Sequence, residues 1–424
     1  MSWPSSILSV LVWSPAVGAL FVALPGEGRL HRRTAIGFAA FTLALAAALA
    51  LTFDPAAGPR ELRRWIPPLG LTYDLALDGF GSLLVVWIAL LALVAIASAP
   101  LERHSEILIL VAESALLGLV TSGDGVLFLS FYGAGLLAIA LLLGRPESVK
   151  PFLVFQSAGA ALAVVSTAIS YHLERIQTGF PSAEIERFSS LVTFPDFQAR
   201  MFLLGAAAVA FAAPLFPFTA WVKDKELRIE GRLLLLGGWS LAGTLFFARA
   251  IAPGYPGGGV SVFVTTLATL SLLYAGIGSR LTWTPLLVGV QGLVVLGLAS
   301  STAGGAAAGR AAMLQLAIAL SAMAIGTTDG DERGPSATSA VVIAMFLPAS
   351  WLILSNRWSD APLLVSLSVM GLALMMFHAG KALPPLSRKR GLLLLPLLAL
   401  WTLTLLAPSR FVPEAAGASL VEEE

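Results

Sequence analysis

The chain has 424 residues, of which 57% are hydrophobic and only 12% charged. Soluble domains are about 45–50% apolar and about 25% charged, so with a mean hydropathy of +0.86 this composition excludes a cytosolic enzyme, a nucleic-acid binder and a disordered scaffold. The net charge of +1 points to no polyanionic partner. The absence of cysteine excludes disulfides, thiolate zinc sites and cysteine-held iron–sulfur clusters within the chain.

Apolar runs long enough to enter a bilayer recur to the end of the sequence. They fall near 4–24, 34–53, 80–99, 107–121, 125–143, 151–171 and 201–221, then near 233–251, 260–277, 284–300, 305–325, 340–354, 362–378 and 391–406. The reading is therefore an all-α integral membrane protein with about fourteen transmembrane helices. Barrel strands would alternate in polarity, and these runs do not. The first run lacks a basic leader and a small-residue cleavage site, so it reads as a retained span.

Basic residues concentrate in the odd-numbered loops, among them Arg29, Arg32, Arg33, Lys223, Lys225, Arg228, Arg388, Lys389 and Arg390. The positive-inside rule then puts both termini on the outer, periplasmic side of a bacterial-type cytoplasmic membrane. The longest loops are 54–79 and 172–200. Neither holds a second domain, and the latter is expected along the membrane surface.

Prolines interrupt two spans. The seventh contains Pro214-Leu215-Phe216-Pro217, and the twelfth contains Pro348. Proline removes a backbone donor and clashes with the preceding turn, so broken helices are expected there. The breaks lie five helices apart, and a five-helix repeat would be inverted across the membrane, as in transporters with discontinuous helices at matched positions. Coincidence is the bland alternative.

Several motifs resemble one family. Residues 59–80, PRELRRWIPPLGLTYDLALDGF, resemble the loop before helix three of subunit M of the proton-pumping NADH:quinone oxidoreductase, complex I, with Trp65, Pro67, Leu69, Gly70, Asp78 and Gly79 matching. LGLVTSGD (117–124), FQSAG (155–159) and PLFPFTAW (214–221) resemble three further motifs of that family in the same order. The resemblance implies two inverted repeats, helices 4–8 and 9–13, each a half-channel. It divides the chain into 1–106, 107–251, 252–378 and 379–424. It also implies a membrane-arm subunit without a redox site or cofactor of its own, among antiporter-like neighbours in a large hetero-oligomeric complex. The alternative is a subunit of an Mrp-type cation/proton antiporter, a membrane-bound hydrogenase or an inorganic-carbon-uptake assembly.

The family's ionisable channel residues are missing. Its helix-five glutamate falls on Gly133, its helix-seven lysine on Ala212, and its helix-eight lysine near Leu241. Its helix-eleven cation falls near Ile318 and its helix-twelve glutamate on Ser350. Such side chains cannot take up and release a proton. A buried charge costs at least ~2.5–3.5 kcal/mol at the bilayer centre and is kept only where function or pairing offsets it. A degenerate channel with a mainly structural role follows.

Four residues remain as candidates for a residual proton path: Glu113 in span four, Gln156 in span six, Gln315 in span eleven and His378 at the end of span thirteen. Glu113 reads either as a relocated protonatable carboxyl or as one kept neutral or paired. The glutamines read as water holders or helix-to-helix ties, and His378 as a channel mouth or an interface residue. Gln291 is a further buried-amide candidate, Arg249 reads as an anchor, and Arg310 as a snorkelling or paired cation. No metal site is expected, because the four histidines show no ligand spacing.

Overall fold

The computed structural model describes residues 5–24, 28–54, 58–98, 102–222, 231, 233–255, 261–277, 283–299 and 306–315, with 368 and 370. Helix α1 covers Ile7–Ala23 and α2 Gly28–Leu51. A hairpin follows, β1 Arg60–Ile66 and β2 Leu71–Ala76. Then come α3 Gly79–Ser98, α4 Arg103–Thr121, α5 Gly125–Leu143 and the long α6 Pro146–Thr178. The short α7 Ile185–Phe188 precedes α8 Pro195–Ala212. Helical segment α9 covers Leu233–Ile251, α10 Ser261–Ile277, α11 Trp283–Leu298, and α12 residues 306–315.

Six of these helices are long and apolar enough to cross a membrane, and three shorter ones are strongly apolar. Helices α3, α4 and α9 are buried on nearly all sides, whereas α2 and α6 leave their outer faces uncovered. Leu20, Leu137, Leu141, Val154 and Phe263 point outward, which in this setting is the lipid side. The chain is an all-α integral membrane protein, and among the described residues the one sheet is a small hairpin.

Small residues set how closely the helices approach. Gly205 abuts Ile251 of α9, and a Cβ on it would lie 2.6 Å from that side chain. Gly159 of α6 lies against the backbone of α8 at Ala208. In lipid, association depends on such contact because apolar burial gives no driving force between helices.

Four expectations change. The expected loop 54–79 forms a two-stranded antiparallel sheet in which Arg60 faces Ala76 and Arg63 faces Tyr73. Span six is extended at both ends: Pro146 occupies the first helical turn, where no backbone donor is needed, and Gly179 closes the helix at φ +79°. Segment α9 is not regular. It opens with a π turn over Leu233–Gly238, tightens to 3-10 over Trp239–Leu241 and closes with a second π turn over Phe247–Ile251. Trp87 of α3 donates its indole N–H to the Gly237 carbonyl, 3.1 Å away, using an acceptor in the irregular turn. Finally, Arg249 is pinned to the Val120 carbonyl at the end of α4 rather than anchoring at a lipid surface.

Helix α8 stops at Ala212, and 213–222 is irregular, containing both Pro214 and Pro217. The Phe216 N–H finds an acceptor in Ser271 Oγ of α10, 3.0 Å away. Pro348, Ser350, Ile318 and His378 lie outside the described residues, as do spans twelve and fourteen and all of span thirteen but residues 368 and 370.

Candidate functional site

The candidate site is the middle of the bundle, where α5, α6, α8 and α9 meet. Gln156 of α6 is fully buried there. Its carbonyl oxygen accepts from the Tyr132 hydroxyl at 2.6 Å and from the Trp239 indole N–H at 3.1 Å. Its amide N donates to the Ala212 carbonyl at 2.9 Å. That carbonyl belongs to the last residue of α8, where helix ends leave acceptors without intrahelical partners. One glutamine thus joins four helices and occupies both lone pairs of its oxygen. Tyr132 and Trp239 also stack at a tilt, ring centres 4.9 Å apart. The arrangement is a closed knot of neutral groups and offers no titratable side chain near neutral pH, so Gln156 serves as a tie between helices.

Of the positions matched to the family's channel residues, Ala212 and Leu241 lie beside this knot, while Ile318 and Ser350 lie outside the described residues. Ala212 is buried, and a Cβ on Gly243 would come within 2.6 Å of its methyl group. Beside it is a cavity of only about 10 Å³, lined by Phe128, Tyr132, Gly159 and Ala208 among others and almost wholly apolar. A water needs about that much room and two to four polar partners, and these walls offer almost no polar surface. Leu241 is buried in the 3-10 turn of α9. Gly133 points the other way: a Cβ there would meet nothing within 4 Å. The inward residue on that turn of α5 is Tyr132.

Glu113 lies in α4, fully buried, and neither carboxylate oxygen has a hydrogen-bond partner among the described residues. Glu106, two turns earlier on the same face, is also fully buried, and one of its oxygens meets His31 Nδ1 of α2 at 2.5 Å. Its other oxygen is unpartnered. This histidine–carboxylate pair escaped the sequence reading because its members are far apart in the chain. An acidic residue in the first turn of a helix opposite a histidine is a weak signal even in retrospect. Gln291 donates to the Ser240 carbonyl at 2.8 Å, and the side-chain oxygens of Gln291 and Gln315 have no hydrogen-bond partner among the described residues. The structure thus distributes Glu113, Gln156 and Gln315 over three separate helices, with no hydrogen bond among them. Arg310 lies over the Phe80 ring, 6.0 Å from its centre.

The loop motif has an architectural role. Asp78 accepts from the Gly81 N–H at 2.5 Å at the start of α3, with Gly79 the first helical residue. Pro67 begins the 3-10 turn between the strands, and Gly70 closes it at φ +62°. The Pro181 carbonyl fills the space where a Cβ on Gly70 would sit. Trp65 is half exposed on β1.

Charged residues gather instead where the hairpin meets the loops outside the spans. Arg60 forms a two-pronged pair with Asp74, Nε–Oδ1 3.0 Å and Nη2–Oδ2 2.9 Å, and reaches Glu186 at 2.9 Å. The hydrogen bonds to Asp74 hold this guanidinium above its ordinary value. Asp124, the aspartate of the LGLVTSGD motif, caps α5 by accepting from Val126 N at 2.8 Å and Leu127 N at 3.1 Å. Its second oxygen accepts from the Thr72 N–H and hydroxyl of β2. Burial pushes its carboxyl up, while these bonds pull the other way. Backbone bonds Gly123 N to Asp74 O, Gly125 N to Ala183 O and Ile185 N to Gly123 O, each 2.8 Å, stitch the three loops together. The loop expected to lie along the membrane surface is therefore bound to the hairpin at 181–186. Among the described residues no three His, Asp or Glu side chains are arranged to hold a metal ion.

No family model matches the chain. It is distantly similar to NADH-quinone oxidoreductase subunit M of Rhodobacter capsulatus, 25% identical over 308 residues, covering 64% of this chain and 59% of that protein. It is 30% identical over 224 residues to NADH-quinone oxidoreductase subunit 13 of Thermus thermophilus, covering 49% of this chain and 46% of that protein. The chain thus spans about half the length of the curated relatives it matches. Its fold matches a chain of respiratory complex I from Thermus thermophilus with TM-score 0.72 at 21% identity, over 96% of this chain and 100% of that one. A chain of the archaeal membrane-bound sulfane sulfur reductase matches with TM-score 0.75 at 17% identity, over 94% and 75%. A chain of the Mrp complex from Dietzia sp. DQ12-45-1b matches with TM-score 0.74 at 18% identity, over 95% and 49%. The fold is thus the antiporter-like fold of membrane subunits in multisubunit complexes.

Proposed function

We propose that this chain is a membrane-arm subunit of a complex I-like proton-translocating assembly, with a degenerate proton channel and a mainly structural role. The observation that carries this reading is the Tyr132–Gln156–Trp239 knot. Neutral, mutually satisfied groups and close glycine contacts surround Ala212 and Leu241, two of the positions at which the resemblance leads one to expect lysines. A proton relay needs groups that change charge, and the knot has none. Redox chemistry would reside in other subunits.

The finer architecture belongs to the same proposal: two inverted repeats, 107–251 and 252–378, after an N-terminal unit 1–106 and before a last helix and tail, 379–424. The break at Pro214–Pro217 would be matched by one at Pro348, and both termini would face the periplasm. Because the native chain has no cysteine, single cysteines at residues 2 and 422 can be labelled directly. Labelling of intact spheroplasts by an impermeant maleimide is expected at both, and protection of either overturns the orientation.

Glu113 is the buried carboxyl in the described spans that lacks any partner, and His378 with Gln315 would complete a residual path in the second repeat. The decisive experiment is gentle-detergent purification of the tagged native protein. Co-elution with peripheral subunits showing flavin and iron–sulfur absorbance is the expected result. Elution alone, or with one non-redox partner, overturns the complex I assignment. The similar TM-scores of the Mrp and sulfane sulfur reductase chains favour one second reading, in which the same scaffold serves an antiporter, hydrogenase or carbon-uptake assembly. Under it the co-purifying subunits carry no flavin.

A further inference from the structure

A groove of about 430 Å³ opens on the outer face of the bundle between α1, α4, α5 and the hairpin. Its walls are almost entirely apolar, with Phe131, Ala134 and Ser130 of α5 on one side and Trp13 of α1, Trp65 and Tyr73 on the other. That volume is typical of a site for a small apolar ligand. Trp13 and Trp65 are both about half exposed at 46% and 52%. A polar chain marks one edge: Trp13 Nε1 donates to the Tyr73 hydroxyl at 2.9 Å, Tyr73 lies 3.0 Å from Ser9 Oγ, and Ser9 donates to Glu61 at 2.5 Å. Glu61 also accepts from the Leu8 and Ser9 N–H groups at the start of α1. Tryptophan and tyrosine with one end apolar and one end hydrogen-bonded are the residues of the membrane–water boundary.

Next to this edge stands an exposed cation, Arg63. Arg63 is directly opposite Tyr73 in the hairpin register, and residues opposite each other share a face of the sheet. Glu61, two residues before it, points to the same face and is satisfied by α1. Arg63 is exposed, and among the described residues it makes no ion pair or hydrogen bond. Arg60, in contrast, is taken up by Asp74 and Glu186. Arg64 is equally exposed but faces the other side of the hairpin.

We infer that the groove is a binding site for an anionic phospholipid, one acyl chain lying along Phe131 and Ala134 between the two tryptophans and the headgroup phosphate meeting Arg63. A dry apolar slot opening on the lipid side suits hydrocarbon. A planar guanidinium suits phosphate by presenting paired donors. Attraction of about one basic residue for anionic lipid corresponds to a roughly fivefold preference over a zwitterionic headgroup.

The test uses the full chain, both alone in nanodiscs and within its purified complex. Phosphatidylglycerol and phosphatidylcholine bearing identical dibrominated chains are compared at equal mole fraction. The quenching that belongs to the groove is the part lost in a Trp13→Phe/Trp65→Phe variant. Brominated phosphatidylglycerol is expected to quench this fraction at about one fifth the mole fraction that brominated phosphatidylcholine requires. Arg63→Gln is expected to bring the two lipids level, whereas Arg64→Gln, on the opposite face, leaves the preference in place. Ala134→Phe is expected to reduce quenching by both lipids. Equal quenching by both headgroups in the native protein, or a preference unchanged in Arg63→Gln, overturns the inference. So does a groove that neither lipid reaches in the complex, which would mean that a neighbouring protein chain covers it. Arg63→Gln lies on an exposed strand, so the headgroup arm stands even if Ala134→Phe fails to fold.

Discussion

The membrane interior and the hairpin joint meet the same requirement by opposite means. Both hold polar side chains from several elements, the interior closed to solvent and the joint open on one side. At the joint, Arg60, Asp74, Asp124 and Glu186 are charged or chargeable, and Arg60 and Glu186 retain contact with water. In the interior, Tyr132, Gln156 and Trp239 are neutral and complete one another's hydrogen bonds. The difference teaches where this fold tolerates charge. An ion pair with one exposed member loses little solvation, whereas a charge at the bilayer centre needs a functional or paired reason to be there.

Putting charge back into the interior is the strongest way to break the comparison. Ala212→Lys would force a cation against Gly243 and into an apolar void of about 10 Å³, and overpacking alone costs ~1–3 kcal/mol before the charge is counted. The expected outcome is loss of accumulated protein, read by immunoblot of membranes, with no gain in pumping. A stable, pumping Ala212→Lys protein would refute the sealed-channel reading. Next is Gln156→Leu, which leaves the Tyr132 hydroxyl, the Trp239 N–H and the Ala212 carbonyl unpaired. Each such group costs ~1–3 kcal/mol, so a drop of several degrees in the detergent melting temperature is expected. Gln156→Glu is expected to fall between wild type and Gln156→Leu at neutral pH.

The joint responds more mildly. Asp124→Ala removes a helix cap, worth about 0.5–2 kcal/mol, and frees Thr72. Asp124→Asn keeps an acceptor for the cap and is expected to melt close to wild type. The sign of the pH effect follows from burial. A carboxyl held above its unfolded value contributes stability that is present below the ordinary carboxylate range and lost as pH rises through its folded value. Acid down to the ordinary carboxylate range therefore spares this joint, and a melting scan from pH 7 to about pH 3, below the ordinary aspartate value of about 3.9, would test it by comparing wild type with Asp124→Asn. If Asp124 alone governs the slope, the variant is flatter. The smallest effect is expected from Glu113→Gln, which keeps size and polarity in a site without partners. Pumping in the assembled complex should be unchanged, measured by fluorescence quenching in inverted vesicles. Loss of pumping with assembly intact would turn Glu113 into a relocated proton site and end the structural reading.

Much of the architecture was legible in the chain. Runs such as 125–143 are apolar from end to end and need no partner to reveal a helix, and span five matches its helix to the residue. The interruption at Pro214 was equally visible, because proline acts on its own turn. The site was less legible. Gln156 was visible as a buried amide, but its partners lie 24, 83 and 56 residues away. His31 and Glu106 are separated by 75. The motif residues Asp78 and Asp124 stood out for a resemblance, whereas their work is to start helices and fasten a hairpin.

The sequence by itself determined the solvent, the helices and where one of them breaks, because hydropathy and proline geometry are local properties of the chain. It also determined that spans eight and eleven carry no lysine or acidic side chain. Only the tertiary structure decided which side of α5 faces inward, putting Tyr132 rather than Gly133 toward the knot. It alone decided that three separate loops close into one joint and that Arg63 lies exposed beside an apolar groove. The physical reason is that a buried polar group must find its partners wherever the fold brings them, and no local pattern in the sequence records that choice.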